Sequence, residues 1–183
     1  MLNYSNQRTS GTDFQSLAKR CLYVSVAEQK LQLVDKNKIL FDVKIATAKN
    51  GVGEQFGSEC TPRGWHNIRA KIGTGCPENT VFIARRPTGE LCSEELQKAH
   101  PDRDWILTRI LWLSGLEVGF NRLGKVDTMR RYIYIHGCPD TETVGIPGSH
   151  GCIRMRNSDI IALFDLVEVA IPVFIDDRGS SIA

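Results

Sequence analysis

The chain has 183 residues, of which 42% are hydrophobic and 24% charged, and a net charge of +2. That length fits one domain with a buried core. The near-neutral balance and the lack of a dense Lys/Arg cluster leave no electrostatic footprint for nucleic acid, and no apolar run is long enough to span a bilayer.

Residues 1–19 read as a polar tail, and residues 177–183 as a second, short one. The first lacks the apolar core of a secretory signal, which leaves a leader trimmed from this sequence, export by another route and residence inside the cell all open. Between the tails, residues 20–176 read as one unit. Strands are expected at 21–26 and 31–34, joined as a hairpin, and at 39–48, where Phe41, Val43 and Ile45 alternate. Asn50-Gly51 ends that run as a turn. The glycine-rich stretch 51–59 lacks the Lys-Ser/Thr and the following helix of a phosphate loop, so it reads as a connector. A Pro-initiated turn at 61–64 leads into a strand at 65–72.

A short strand is expected at 81–84. Ser93 then offers an N-cap, with Glu94 and Glu95 in the first turn, and Pro101 stops that helix. WILTRILWL, at 105–113, reads as a strand buried on both faces. Residues 115–127 read as a loop, expected as a flap. The pairs Arg85-Arg86 and Arg130-Arg131 read as solvated faces, Trp112 and Tyr134 as core packing, and His66 and His100 as surface or structural residues. Near the end, Asn157 or Ser158 can cap a helix whose face carries Ile160, Ile161, Phe164 and Val167, followed by a strand at 173–175. Seven or eight strands against two helices predict a mainly β fold.

The six cysteines are Cys21, Cys60, Cys76, Cys92, Cys138 and Cys152. They do not imply a disulfide framework and are expected mostly as free thiols. A Cys60–Cys76 or Cys76–Cys92 bridge stays open.

Chemistry concentrates in YIYIHGCPDTETVGIPGSHGCIRMRN, residues 132–157. An alternating strand runs into His136, and a Gly/Pro-punctuated loop ends at Ser149-His150-Gly151-Cys152. Two imidazoles and a thiol beside a glycine are the parts of a thiol acyl-transfer site. A thiol near its ordinary pKa is only a few per cent thiolate at pH 7, so it needs a base. Both His136, on a neighbouring strand, and His150, two residues from Cys152, are candidates. His136 is favoured because a rigid strand can aim its ring. The backbone N–H groups of Gly151 and Cys152 are candidate oxyanion donors. Arg154 suits a substrate carboxylate, with a surface ion pair as the equal alternative.

A rival reading takes His136, Cys138, His150 and Cys152 as the four ligands of a tetrahedral zinc site in a non-catalytic module. The single-residue spacing inside each pair argues against it, because structural zinc pairs usually leave two or more residues between ligands.

IHG at 135–137, SHGCIRMRN at 149–157, and the helix and VFI strand after them resemble the L,D-transpeptidase catalytic domain of bacterial cell-wall enzymes. TAKNGVG at 47–53, TPRGWHNI at 61–68 and KIGTG at 71–75 fit the same resemblance. It implies a β-sandwich-like fold with one or two helices and no metal or organic cofactor. The implied activity is attack on a peptidoglycan tetrapeptide stem, release of D-alanine, and transfer of the thioester to an amine of another stem or a lipoprotein. Hydrolysis of the same thioester would make an L,D-carboxypeptidase. The resemblance further implies Cys152 as nucleophile, His136 as proton acceptor and donor, His150 and Gly151 beside the oxyanion, and Gly137 with Arg154 among the substrate contacts. It also implies inhibition by carbapenems and a periplasmic or envelope location. Cys138 departs from the resemblance, standing where relatives more often carry a hydroxyl residue.

Overall fold

The computed structural model describes residues 20–36 and 38–179; residues 1–19, with the expected N-terminal tail, and residues 37 and 180–183 lie outside it. The first two strands, β1 (Arg20–Ser25) and β2 (Lys30–Asp35), pair antiparallel, with Leu22 opposite Leu33 and Val24 opposite Leu31. Their alternation feeds two separate cores. Leu22, Val24, Leu31 and Leu33 face the main one, whereas Cys21, Tyr23 and Val34 pack with Trp65 and Phe174 on the other side. β3 (Lys38–Lys44) lies along β2 as a largely exposed edge.

A single sheet continues from there. β10 (Pro172–Asp176) runs parallel to β1 and antiparallel to β4 (Gly64–Ile72). β4 pairs with β7 (Ile106–Gly115), which also pairs with β5 (Thr80–Ile83), and β6 (Arg86–Leu91) forms that edge. From β7 the sheet branches to β8 (Tyr134–Gly137) and then to β9 (Ile153–Met155). The free side of β9 meets the chain that follows β3: Ala46 N–H donates to Arg154 O at 2.8 Å and Arg154 N–H to Ala46 O at 2.9 Å. The sheet therefore curls until its two ends join. Ile68, Leu113, Ile135 and Ile153 fill the enclosed space, capped by Ile160, Leu163 and Phe164 of helix α2 (Asn157–Leu166). The mainly β expectation with two helices holds; helix α1 (Glu94–Ala99) is capped by Ser93 Oγ, which accepts from Leu96 N–H.

Several local expectations change. The third strand stops at Lys44 instead of running to Ala48, because Ile45–Lys49 leaves β2 to pair with the chain around Ser149 and Arg154. Gln29 makes that exchange possible: its side chain accepts from Thr47 N–H at 2.8 Å and donates to Thr47 Oγ1 at 2.7 Å. Strand β6 was not foreseen, since Pro87 and Gly89 disguise it; an edge strand tolerates both. The cap of α2 is Arg156 without a side-chain bond, because Asn157 is turned inward to Thr108 and Asn79. Residues 115–127 are pinned rather than free: Asn121 Nδ2 donates to Arg63 O and Trp65 O, and Glu117 Oε2 accepts from Trp65 N–H. Within the described part of the expected C-terminal tail, Asp177 is paired to Arg63 at 2.8 Å. All six cysteines are free, so neither bridge through Cys76 forms.

His66 is fully buried between Gly64 O and Thr128 Oγ1, and burial pushes its pKa from 6.5 down to about 4. A folded pKa below the unfolded one means that the unfolded chain binds the extra proton. Stability from this group is complete above about pH 6.5 and is lost as the pH falls toward 4, by about 3 kcal/mol. Urea midpoints measured between pH 7 and 4.5 should fall steeply for the native chain and clearly less for His66→Gln. Equal slopes for the two would contradict this account.

Candidate active site

Parallel pairing of β8 with β9 sets the site. Its register places Ile135 beside Ile153, His136 beside Arg154 and Gly137 beside Met155. Cys152 is two residues before Arg154, so its side chain leaves the sheet on the face that carries His136. Antiparallel pairing of His136 with Ile110 agrees, because Ile110, Tyr134 and Phe82 form the small core against which Cys152 packs. Backbone atoms hold the sulfur: Tyr134 N–H donates to Cys152 Sγ at 3.3 Å, and Tyr132 O lies 3.6 Å from it. The residue is half-buried.

The imidazole is fully buried. His136 Nδ1 is 2.8 Å from Gly137 O. A carbonyl oxygen only accepts, so Nδ1 carries the hydrogen and Nε2 carries the lone pair. Among the described residues Nε2 has no hydrogen-bond partner. Burial pushes the His136 pKa down to about 4, opposed by the nearby Asp104 carboxylate, and pushes the Cys152 thiol up to about 12. The resting pair is therefore neutral imidazole and neutral thiol, with the acceptor lone pair unoccupied.

The loop that delivers Cys152 is built from backbone. Gly148 N–H and Ser149 N–H both donate to Thr47 O, and Lys49 N–H donates to Ser149 O. Thr61 Oγ1 donates to Gly151 O at 3.1 Å and accepts from Ala48 N–H at 2.9 Å. Ser149 Oγ is buried, donates to Cys152 O and accepts from Gly151 N–H at 3.2 Å. Gly151 has φ +125°, and a Cβ there would lie 3.1 Å from Ile133 Cδ1, so only glycine fits. With Gly151 N–H engaged, the His150 and Cys152 N–H groups are the donors of this turn that have no acceptor among the described residues.

Comparison with known proteins bears directly on this geometry. A family model described as the L,D-transpeptidase catalytic domain (YkuD) matches residues 19–175. The chain belongs to the L,D-transpeptidase catalytic-domain family. It is 27% identical over 158 residues to "Putative L,D-transpeptidase YqjB" of Bacillus subtilis (strain 168), covering 86% of this chain and 72% of that protein. Among solved structures, the fold is similar to a C442S mutant of the Enterococcus faecium L,D-transpeptidase, with TM-score 0.53, 15% identity, and coverage of 86% of this chain and 50% of that one. It is also similar to the L,D-transpeptidase LdtMt1 in complex with imipenem, with TM-score 0.52, 16% identity, and coverage of 86% and 59%. The chain thus spans only about half to three fifths of those structures.

The other residues of this L,D-transpeptidase domain singled out in the sequence are not all gathered at the thiol. His150 is exposed on the loop. Gly137 is buried, and a Cβ on it would collide with Asn157 Oδ1 and lie 2.9 Å from Leu107 O. Its absent side chain admits Asn157, which accepts from Thr108 Oγ1 at 2.7 Å. Thr108 sits at φ 70° in a bulge where the pairing of β7 with β8 shifts between Leu107 and Ile110, directly before the partner of His136. Arg154 is 6% exposed, with Nη2 2.7 Å from Asp104 Oδ1 and Nη1 3.2 Å from Glu142 Oε2. Its terminal nitrogens already have two protein carboxylates, so binding a substrate carboxylate there would mean displacing them.

The zinc alternative is corrected. Cys138 is fully buried with its thiol 3.3 Å from Met155 O, while His150 is exposed. No group of three or more His, Cys, Asp or Glu among the described residues is arranged to hold a metal ion. The His-x-Cys pairs fail because Cys138, just past the end of β8 at Gly137, is buried against Met155 O, while His150 lies exposed on the loop.

Sequence reasoning missed Asp104, whose charge acts on both His136 and Cys152. It also misread Arg131, which is half-buried and donates to Cys60 O at 2.6 Å, Gly53 O at 2.9 Å and Glu54 O at 3.0 Å. Neither carries a local signal, since both act across more than thirty residues of chain.

A neutral resting pair has a measurable consequence. Thiolate fraction below the thiol pKa grows tenfold per pH unit. Alkylation of Cys152 by iodoacetamide should climb without levelling from pH 7 to 10, because burial holds the thiol near 12. A plateau reached by pH 7 would show a preformed thiolate–imidazolium pair and contradict the account.

Proposed function

We propose that this chain is a cysteine acyltransferase of the L,D-transpeptidase type acting on peptidoglycan stem peptides. The observation that carries the proposal is the buried, unpartnered lone pair of His136 Nε2 on the same sheet face as the half-buried Cys152 thiol. An imidazole held neutral, tautomerically fixed and unoccupied beside a thiol is arranged to accept a proton.

In the proposed reaction, Cys152 Sγ attacks the carbonyl carbon of the L,D peptide bond of a tetrapeptide stem while its proton passes to His136 Nε2. The carbonyl oxygen becomes an oxyanion, and the unused Cys152 N–H is its donor, with Gly151 and His150 flanking it on the loop. The C–N bond breaks as the imidazolium returns the proton to the departing D-alanine nitrogen, leaving a thioester. An amine acceptor attacks the thioester, gives its proton to Nε2, and expels the sulfur, which regains that proton. Placing positive charge on a buried ring is costly, and the Asp104 carboxylate favours the charged form. Arg154, paired with Asp104 and Glu142, is proposed to fix that carboxylate near the ring. Water in place of the amine would give the L,D-carboxypeptidase outcome.

A peptidoglycan substrate places this domain in the cell envelope. The imipenem complex of LdtMt1 supports imipenem as an active-site probe. Intact mass analysis after incubation with imipenem should show one covalent adduct on the native chain and none on Cys152→Ala. His136→Ala should slow adduct formation on the order of a hundredfold. An adduct persisting on Cys152→Ala would remove this cysteine from the nucleophile's role.

A further inference from the structure

A cluster beside the thiol is not used by the chemistry above. Two residues touch the Cys152 sulfur through their main chain, Tyr132 by its carbonyl and Tyr134 by its N–H. The side chains of the same two residues hold Arg85. Its guanidinium carbon lies 4.9 Å from the Tyr132 ring centroid, and Nη1 donates to Tyr134 Oη at 2.9 Å. It also lies 4.5 Å from the Trp112 ring, and the Arg69 guanidinium lies 5.5 Å from that ring. Trp112 and Tyr132 stack with centroids 6.4 Å apart. Two cations are thus gathered on an aromatic platform whose backbone grips the sulfur.

Neither cation is neutralised. Among the described residues no carboxylate pairs with Arg85 or Arg69. Arg154, by contrast, has both terminal nitrogens occupied by acids. Arg85 spends one donor on Tyr134 and has the rest of its fork available, the geometry that recognises a carboxylate.

The backbone is strained to put Arg85 there. Ala84 and Arg85 form the two-residue turn between Ile83 and Arg86, at φ 47° and 68°. Such a turn favours Asn-Gly, and residues with a Cβ adopt it at a cost. The contacts of Arg85 with the Trp112 and Tyr132 rings and with Tyr134 Oη offset that cost and fix the guanidinium on this platform.

We propose that Arg85, with Arg69 beside it on Trp112, is a carboxylate-binding subsite of this active site. It takes a free carboxylate of the peptide whose carbonyl is presented to Cys152. The proposal rests on Cys152 being the nucleophile, and it makes Arg85 a specificity residue rather than a participant in proton transfer.

Iodoacetate and iodoacetamide, which differ in one charge, test it on the intact chain. Their rates at Cys152 are measured at low ionic strength, with the modified cysteine identified by peptide mass mapping. The iodoacetate-to-iodoacetamide rate ratio should fall roughly fivefold in Arg85→Gln, fall less in Arg69→Gln, and be largely retained in Arg85→Lys. Added salt should lower the ratio in the native chain and have little effect in Arg85→Gln. An unchanged ratio in both glutamine variants, with Cys152 still alkylated, would overturn the subsite and leave the nucleophile in place. If neither reagent modifies Cys152, the nucleophile assignment fails and the subsite falls with it.

Discussion

Parallel pairing of two very short strands is the constraint on which the site depends. β8 and β9 share only three registered residue pairs, yet that register puts the His136 imidazole and the Cys152 thiol on one face. Strands so short do not hold register alone. Here the bulged centre of β7 fixes one side of β8, and Ala46 bonds to the far side of β9. The curled sheet supplies both supports, so the fold and the site are one arrangement. A slip of one residue along β9 would turn Cys152 to the opposite face from His136.

Electrostatics follow from that placement. Burial disfavours charge on both His136 and Cys152, holding the imidazole pKa low and the thiol pKa high. Sulfur reactivity then awaits a substrate that accepts the developing charge, instead of standing as a permanent thiolate open to oxidation. Neighbouring groups grade the surroundings. Asp104 and Arg154 pair near the ring, and among the described residues Arg85 and Arg69 have no carboxylate partner. Cys138, the other thiol near the loop, is fully buried, which pushes its pKa up to about 11.

Much of this was legible before any coordinates. The His-Gly strand and the Ser-His-Gly-Cys loop carry their chemistry in adjacent letters, and the spacing in 160–167 marked the helix beside them, whereas the strand expected from Tyr132 begins only at Tyr134 because Tyr132 sits in a turn at φ 57°. Local patterns failed where distant chain decides the outcome. Ile45 to Ala48 alternate like a strand, but their partners are Ser149 and Arg154, a hundred residues away. Asn157 looks like a helix cap until Thr108 and Asn79 claim its side chain. Arg85 and Arg131 resemble ordinary surface charge because neither aromatic platforms nor backbone carbonyls announce themselves at the arginine that uses them. Strand β6 was hidden by residues that only an edge position tolerates.

The central claim is that the Cys152 sulfur carries the acyl group, and trapping that species tests it most directly. The chain is mixed with a disaccharide tetrapeptide, quenched in acid within seconds, and weighed intact. The account predicts a mass gain equal to the stem less its terminal D-alanine, mapped to Cys152. A chain that releases D-alanine with Cys152 unmodified at every time, or that carries the acyl group on another residue, would contradict it.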